Sequence, residues 1–459
     1  MEELDTIPSE VADVRPRVDI TRGNVLRNVL YMGIPSMIGF GAMTIYSLTD
    51  IFWVARLGTA HVAALTLFGA IAWVLGSANQ IVGTGSVALV SRRFGERDVE
   101  ATRDVIRQTF LLKVGMAVVM GAVGLAVVAP VLRLMNASAE TQGLALEYAG
   151  IYLYGLPFMF ASYTGYTALR GVGDAPKAMY VMLLSTALNV GLDPLFIFGF
   201  GMGIRGAALA TVVSAAVAVA AGLWLLSSGR ANITVRGWTH FRPRLCVMLE
   251  VLRIGAPAGI NGLLRSMSHW LVATLIAGFG TVVVAAYGIA VRVMDLGILF
   301  GVGLELGSSA IVGQNLGAKQ KDRAYDAVVK ATLLVLVLAG ALGAVEFAFA
   351  RGIVGAFAKD GAVVEVGIVL LRFFAVIQVF IAMHIVLGSA FWGSGDTWPP
   401  TVIAAVVEWG VQIPLILAAI HVLRTSETGV WWAMVIATGI EVLLTYLWFR
   451  RGKWMHRVV

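Results

Sequence analysis

Cysteine and charge are both scarce in this chain of 459 residues. The single cysteine, Cys246, excludes a disulfide within the chain and has no second cysteine with which to form a metal site. Charged residues are 13% of the chain, whereas hydrophobic residues are 59%. So few charges are not enough to cover the surface of a soluble protein of this length. The composition therefore predicts an integral membrane protein.

Sequence patterns of enzymes and of ATP-driven pumps are also missing. The six histidines are scattered along the chain, so neither a metal cluster nor a Ser-His-Asp arrangement can be proposed. Gly171 and Gly173 are not followed by the lysine of a Walker loop, and no such loop occurs elsewhere. We therefore predict that the chain is not an enzyme, holds no cofactor or metal centre and does not use ATP.

What the chain has instead is a set of long apolar segments. A chain of this length has room for about twelve spans of roughly 20 residues with short connections. The apolar runs are continuous and do not alternate, which predicts helices and not the strands of a β-barrel. The fold class is therefore predicted as an all-α membrane protein with spans near 28–52, 60–90, 105–130, 143–168, 177–200, 203–227, 250–277, 283–313, 325–350, 362–390, 399–422 and 428–449.

The basic residues are distributed unevenly about these spans. With the N-terminus taken as inside, 24 of the 34 lysines and arginines fall on inside segments and six fall on outside segments. Because inside loops are enriched in positive charge, both termini are predicted in the cytoplasm of a cell whose cytoplasmic membrane the chain crosses many times. The net charge of +7 is then a topology signal, and no nucleic-acid partner is predicted.

The two halves of the chain repeat each other at a constant offset of 222 residues. Six spans per half is an even number, so both halves insert with the same orientation and are related by an axis along the membrane normal. The repeat predicts a cytoplasmic tail at 1–24, an N-lobe at 25–227, a cytoplasmic linker at 228–248 and a C-lobe at 249–459. Its anchors are Gly33-x-Pro35 with Gly255-x-Pro257, Gly58-Thr59 with Gly280-Thr281, Ser86 with Ser308, and Gly173-Asp174 with Gly395-Asp396.

One polar stretch interrupts the fifth span of the first half. Asp193 lies inside a long apolar run, and a charged group at bilayer depth is costly enough to be a functional-site hypothesis by default. Asn189 is four residues away and shares one helix face with Asp193. Pro194 lacks an N–H and clashes with the preceding turn, so it predicts a helix bend beside the acid. The stretch predicts an ion-handling site in a transporter.

Several motifs in this order resemble the multidrug and toxic compound extrusion (MATE) family, and together with the repeat they cover nearly the whole chain. The resemblance implies a V-shaped pair of six-helix lobes that exports organic cations or amphiphiles in exchange for protons or sodium. The motifs are Leu169-Arg170-Gly171-Val172-Gly173-Asp174, Asn189-x-x-Leu192-Asp193-Pro194-Leu195, Gly206-Ala207-Ala208-x-Ala210-Thr211 and Val312-Gly313-Gln314-Asn315-Leu316-Gly317-Ala318.

Within that family the chain is most similar to the prokaryotic DNA-damage-inducible F (DinF)-like subfamily. The similarity implies a proton- or cation-binding site in the N-lobe, made of an acid in span 1, an Asn-x-x-x-Asp in span 5 and a threonine in span 6. Those residues are here Asp50, Asn189, Asp193 and Thr211. Another branch places a sodium-binding glutamate in span 7, where this chain has Arg265, which argues against that second site.

The repeat bears on these four residues independently of the resemblance. Positions 222 further on are all apolar, so the scaffold is duplicated but the polar site is not. Residues needed only for packing of a lobe would be expected in both lobes, and a function confined to the first lobe is therefore favoured. The simpler alternatives are an interfacial Asp50 paired with Arg56, and a helix-packing hydrogen bond for Asp193. The four apolar counterparts are Val272, Val411, Leu415 and Ala433.

The second lobe carries intramembrane charges of its own. Glu305 stands where the first lobe has Gly83, so it is not required by the scaffold. The simpler interpretation of these charges is internal pairing, for example of Arg292 or Arg265 with Asp295. The sharper one is that Glu305 or Glu408 attracts a cationic substrate.

The sequence thus predicts a secondary antiporter for cationic or amphiphilic drugs, embedded in the bilayer as a monomer. Protons are favoured as the coupling ion, with sodium as the second choice, bound at Asp50, Asn189, Asp193 and Thr211. The main alternative is a lipid or lipid-linked oligosaccharide flippase of the same superfamily, which calls for basic residues in the cavity. A non-transporting receptor or scaffold is the third alternative.

Overall fold

The structure, a computed structural model, describes residues 18–135, 137–238 and 242–457. Within these ranges twelve helices are long and apolar enough to cross a membrane, which confirms the predicted all-α fold with twelve spans. Every span extends beyond the core that hydropathy marks out. The reason is that an α-helix can continue past the apolar layer with its backbone already hydrogen-bonded.

The first six spans connect through short turns. α4 starts at a Ser138 cap and α3 at an Asp98 cap, whose side chains accept hydrogen bonds from the Thr141 and Ala101 amides. The helices are α1 (Val25–Ala55), α2 (Thr59–Gly95), α3 (Val99–Leu134), α4 (Ala139–Gly171), α5 (Ala175–Pro194) with a π-helical turn at Leu195–Gly199, and α6 (Ile204–Ser227).

The second six spans follow the same plan with one extra short helix. α7 begins at Leu245, inside the segment predicted as linker, so Cys246 lies in its first turn and not in a connection. The helices are α7 (Leu245–Ala277), α8 (Thr281–Gly317), α9 (Lys321–Ala348), α10 (Ala350–Phe357), α11 (Gly361–Ser394), α12 (Trp398–Ala404) continued by π-helical Ala405–Gln412, α13 (Ile413–Leu417) and π-helical Ala418–Val422, and α14 (Glu427–Arg450) with a short 3-10 turn at Lys453–His456.

The repeat extends to the backbone conformation. Gly173 and Gly395, 222 positions apart, both have φ of 79°, the left-handed region that glycine enters without strain. Arg97 and Lys319 also form a pair at this offset and have φ of 62° and 60°. The turn after each of these helices is therefore the same in both halves. The local sequence specifies it twice.

The residues divide into two compact units. The first consists mainly of Ile38–Ala256, and the second of Gly23–Met37, Pro257–Leu316 and the residues from Gln320 onward. α1 contributes to both, because the division falls within this helix. The predicted lobe bounds, which place all of α1 in the N-lobe, stay a prediction.

The helical geometry changes beside the predicted proline bend. α5 ends at Pro194, and the next five residues, Leu195–Gly199, form a π-helical turn. Proline removes one backbone donor and crowds the preceding turn, so a change in hydrogen-bonding pattern at this point is expected. The corresponding span of the second half also ends in a π-helical turn, at Ala418–Val422.

Gly206 sets the close approach of α6 to this π-helical turn. A Cβ at Gly206 would lie 2.6 Å from the Phe196 carbonyl carbon, so even alanine would force the two backbone segments apart. α6 also carries Thr211, and the π-helical turn follows Asp193 directly. The small residue at 206 therefore fixes the distance between two elements that carry the predicted site.

We expect Gly206→Ala to destabilise the first unit by about 1–3 kcal/mol, as overpacking of a tight contact does. The measurement is the midpoint of thermal unfolding of the purified protein in detergent. Gly191→Ala on α5 is the matched control, because a Cβ there meets nothing within 4 Å. Equal midpoints for the two variants would contradict the assigned role of Gly206.

Candidate functional site

Three predicted residues meet at one point inside the first unit. The Asn189 Nδ2 donates a hydrogen bond of 3.0 Å to Asp50 Oδ1 and another of 3.3 Å to Asp193 Oδ1. A primary amide has two N–H groups, so one nitrogen can serve both acids at once. The two carboxyl groups therefore lie no farther apart than two hydrogen bonds placed end to end. Asn189 and Asp193 are completely buried.

The fourth predicted residue, Thr211, lies on α6 beside the same cluster. Its backbone carbonyl accepts a hydrogen bond of 3.3 Å from the Tyr46 hydroxyl on α1. Tyr46 precedes Asp50 by four residues and so shares its helix face. The sequence prediction missed Tyr46, although this spacing was available as a clue. With it, α1, α5 and α6 are all joined at the site.

Further hydrogen bonds fix the three helices around the cluster. The Thr186 hydroxyl on α5 donates to the Ala42 carbonyl on α1 at 3.2 Å, and Ser185 donates to the Ser214 carbonyl on α6 at 3.3 Å. Both donors lie one turn before Asn189. In an apolar medium such side-chain bonds to backbone carbonyls hold helices in register.

The site has more oxygen atoms than protein donors to satisfy them. Three buried oxygens find no hydrogen-bond partner among the described residues: Asn189 Oδ1, Asp193 Oδ2 and Thr211 Oγ1. Buried polar atoms are nearly always paired in proteins, so this set points to a partner that the chain does not itself supply. A proton on a carboxyl group, a hydrated cation or a bare cation would each provide one. The donors are all oxygen atoms, which suits hard cations.

The simpler alternative for Asp50 does not match the contacts. Its predicted partner, Arg56, stacks over the rings of Phe52 and Trp53, with its guanidinium carbon 4.6 Å and 4.5 Å from the ring centroids. Asp50 instead accepts the Asn189 hydrogen bond. Arg56 is thus held by aromatic faces, a favourable arrangement for a guanidinium.

The second unit has a separate buried network centred on Arg265. Its Nη1 lies 2.9 Å from Glu408 Oε1 and its Nη2 lies 2.5 Å from Glu441 Oε1. The expected pairing of Arg265 with Asp295 was wrong. Asp295 instead lies 3.7 Å from Arg292, and both of these side chains are well exposed. The sequence missed Glu441 as a partner.

The hydrogen bonds around His384 define its tautomer. The Thr445 hydroxyl donates to the Glu441 carbonyl at 2.7 Å, so its oxygen accepts from the His384 Nδ1–H at 2.9 Å. His384 Nε2 then carries no proton and accepts from Arg265 Nη2 at 2.9 Å. Arg265 is therefore surrounded by acceptors on α11 and α14 as well as in the π-helical segment that carries Glu408.

The two glutamates proposed to attract a substrate differ in their surroundings. Glu408 is buried and paired with Arg265, which offsets its charge, although its Oε2 has no hydrogen-bond partner among the described residues. Glu305 is half-buried on α8, and its backbone carbonyl accepts a hydrogen bond from the Ser309 hydroxyl at 2.8 Å. Their role in attracting substrate stays a prediction.

Metal binding by histidine, cysteine and carboxylate groups finds no support in the described ranges. No three such residues come together there in a way that could hold a metal ion. A monovalent cation at the acid pair would instead need the amide and hydroxyl oxygens of Asn189 and Thr211 in addition to the two carboxylates.

The fold and the duplicated sequence define a membrane protein built from two homologous six-span halves. The MatE family model matches residues 35–195 and again residues 257–417. Both bounds are displaced by 222 positions, the same offset as the sequence repeat. The chain therefore belongs to the MatE family, as the motifs indicated. The more specific DinF-like placement stays a prediction.

Curated relatives cover nearly the full length. The chain is 27% identical over 439 residues to the "Probable multidrug resistance protein YoeA" of Bacillus subtilis (strain 168), with 94% of each protein covered. It is 24% identical to the "Multidrug export protein MepA" of Staphylococcus aureus (strain NCTC 8325 / PS 47), covering 92% of this chain and 93% of the relative.

Solved structures agree closely with the fold. An outward-facing multidrug resistance MATE family transporter of the MOP superfamily superposes with a TM-score of 0.89 at 26% identity, covering 97% of this chain and 100% of the other. A MOP superfamily transporter from Pyrococcus furiosus Vc1 (DSM3638) gives the same values. The work that describes it suggests a different function from the reverse polarity of its binding pocket.

Proposed function

We propose that this chain is a secondary active multidrug exporter that exchanges organic cations or amphiphiles for protons. The observation that carries the proposal is the buried carboxyl pair Asp50 and Asp193, joined through Asn189 and left with unpartnered oxygens. The names of relatives supply the substrate class, since those proteins are described as multidrug resistance or export proteins.

The carboxyl pair can couple proton uptake to conformation. Two carboxylates this close repel each other, and one proton shared between them removes half of the charge. The protonated carboxyl becomes a hydrogen-bond donor, so it can satisfy an oxygen that now has no partner. Proton binding thereby strengthens the contacts among α1, α5 and α6. Proton loss loosens them and exposes charge in an apolar interior.

Export follows if the two states face opposite sides of the membrane. A proton entering from outside neutralises the pair, and the helices around Pro194 and its π-helical turn repack over the space that a cationic substrate occupies. The substrate and the proton then compete for the same negative charge. Release of the proton toward the cytoplasm restores the charge that attracts the next substrate cation.

Sodium is the second candidate ion. Two carboxylate oxygens, Asn189 Oδ1 and Thr211 Oγ1 form an all-oxygen set, the ligand type that hard cations prefer. Protons are favoured because the chain places only these few ligands around the acids, whereas a bare cation needs a nearly complete shell. A lipid-linked oligosaccharide flippase is the main alternative function. It calls for cationic groups free to hold phosphate, and Arg265 is already held between two glutamates.

Transport in proteoliposomes tests this function directly. Ethidium serves as the cationic probe, and proton and sodium gradients are imposed in separate experiments. We expect ethidium to move against its gradient when a pH gradient alone is present, and not with a sodium gradient alone. Movement driven only by sodium would replace the coupling ion. No movement under either gradient would contradict antiport.

A further inference from the structure

A second titratable group is buried in the first unit, and the proposed mechanism does not use it. Lys113 on α3 is completely buried, and its Nζ has no hydrogen-bond partner among the described residues. The Nζ lies 5.1 Å from the centre of the Tyr163 ring on α4. On α2 it faces Gly83, where a Cβ would lie 3.8 Å from Nζ.

The surroundings of Lys113 do not supply a counter-charge. The charged group that acts on it is another cation, Arg170 on α4, and Tyr163 is the other titratable side chain beside it. α2 presents Gly83 and, one turn further on, the Ser86 hydroxyl. A buried ammonium without an acceptor costs several kcal/mol. The environment therefore suits a neutral amine, whose lone pair can accept a proton.

The scaffold does not require a lysine at this position. The position 222 residues further on is Val335, which is also completely buried. An apolar side chain thus fills the equivalent place in the second half of the repeat. Lysine is long, flexible and costly to bury, so its presence in the first half calls for a reason other than packing.

A series of polar side chains connects the carboxyl pair to Lys113. Asp193, Asn189 and Ser185 follow one another at four-residue spacing along the buried face of α5. The Ser185 hydroxyl donates to the Ser214 carbonyl on α6, and the Ser214 hydroxyl itself is buried without a partner in the described part of the chain.

The series continues on α4 with two tyrosines. The Tyr166 hydroxyl lies next to Ser185 and Ser162. The Tyr166 and Tyr163 rings pack edge to face with their centroids 5.7 Å apart, and Tyr163 contacts Lys113. Hydroxyl groups both donate and accept hydrogen bonds, so they can pass a proton along with intervening water. The series runs toward the helix ends at Gly95, Val99 and Ala175, which the charge distribution predicts to be cytoplasmic.

We propose that Lys113 is the proton acceptor through which the Asp50–Asp193 pair discharges toward the cytoplasm. The proton leaves a carboxyl oxygen of the pair, where the O–H bond breaks. It binds the lone pair of Lys113 Nζ, where an N–H bond forms. The resulting ammonium, held beside Arg170 and without an acceptor, passes the proton to water at the cytoplasmic helix ends. This inference rests on the proposed proton coupling at the carboxyl pair.

Two substitutions at Lys113 separate this role from its alternatives. Lys113→Met keeps the length and apolar stem of the side chain but cannot bind a proton. Lys113→Arg keeps a positive charge but does not release its proton in proteins. We expect both variants to lose about tenfold or more of the ethidium export driven by a pH gradient. Both should retain exchange of ethidium at equal pH on the two sides. Val335→Met is the matched control and should leave both activities unchanged.

Each other outcome overturns the inference in a recognisable way. Full export by Lys113→Met would make the lysine a packing residue. Full export by Lys113→Arg would make it a fixed cation, and a thermal midpoint that depends on chloride against gluconate would identify an anion site. Loss of exchange as well as export would indicate support of the fold. Failure of the parent protein to respond to a pH gradient would instead contradict the proposed function itself.

Discussion

Asp193→Asn is expected to lose nearly all export that a pH gradient drives, while the protein stays folded. Asparagine has almost the same size and can still hydrogen-bond to Asn189, so the contacts of α5 are largely kept. It cannot bind the coupling proton, and it removes one of the two charges that attract a cation. Proton-handling groups typically contribute about 10²–10⁴-fold to a rate, and we expect a loss of at least about a hundredfold. The measurement is ethidium efflux from proteoliposomes with an imposed pH gradient.

Asp50→Asn should produce the same loss, because the two acids act as one unit joined by Asn189. The double variant should then be hardly worse than either single variant, since groups that act together are strongly non-additive. Additive losses would indicate two independent proton sites.

The matched control for both is Asp295→Asn, which alters an aspartate within a spanning helix of the second unit. Asp295 is half-exposed and only loosely paired with Arg292 at 3.7 Å. We expect its efflux to match that of the parent protein. Undiminished gradient-driven efflux by Asp193→Asn would remove the basis for coupling at this site.

The fold was largely predictable from the sequence because the bilayer leaves few choices. A continuous apolar run in lipid must satisfy its backbone internally, so its length and composition already specify a helix. The repeat then fixed the correspondence between halves down to the turns at Gly173 and Gly395, where both residues have φ of 79°. Local sequence decides such features, and no partner elsewhere in the chain is needed.

The meeting of Asp50, Asn189 and Asp193 was also foreseeable in part. The spacing of Asn189 and Asp193 follows from helix geometry, but their contact with Asp50 joins positions 139 residues apart. Spacing along one helix does not give such a contact. The prediction came from similar depth in the membrane, from the absence of counterparts in the second half and from the resemblance to a known family.

The partners of Arg265 were not predictable in the same way. Glu441 is 176 positions away, and several acids of the second half had comparable depth. Choosing among them depends on how the helices are rotated, which hydropathy does not report. The π-helical segment Ala405–Gln412 adds to this difficulty, because it shifts the direction of Glu408 relative to a regular α-helix.

Arg265→Met is expected to give the largest loss of stability in the second unit. It leaves Glu408 and Glu441 buried without their cation, and removing one partner of a buried ion pair typically costs about 3–5 kcal/mol. Arg265 keeps 29% of its side chain exposed, so a value near about 3 kcal/mol is expected. The free energy of unfolding in mixed micelles of increasing SDS content measures it. Arg372→Met on α11, an exposed arginine near Phe347, is the control and should change little.

Arg265→Lys should recover only part of this loss. The guanidinium uses Nη1 for Glu408 and Nη2 for both Glu441 and His384, and a single ammonium cannot reproduce that fork. Replacing Glu408 by glutamine in the Arg265→Met background should restore stability, because it removes a charge that has lost its partner. If Arg265→Met unfolds no more easily than Arg372→Met, the network does not stabilise the second unit, and its charges are then available for a role in transport.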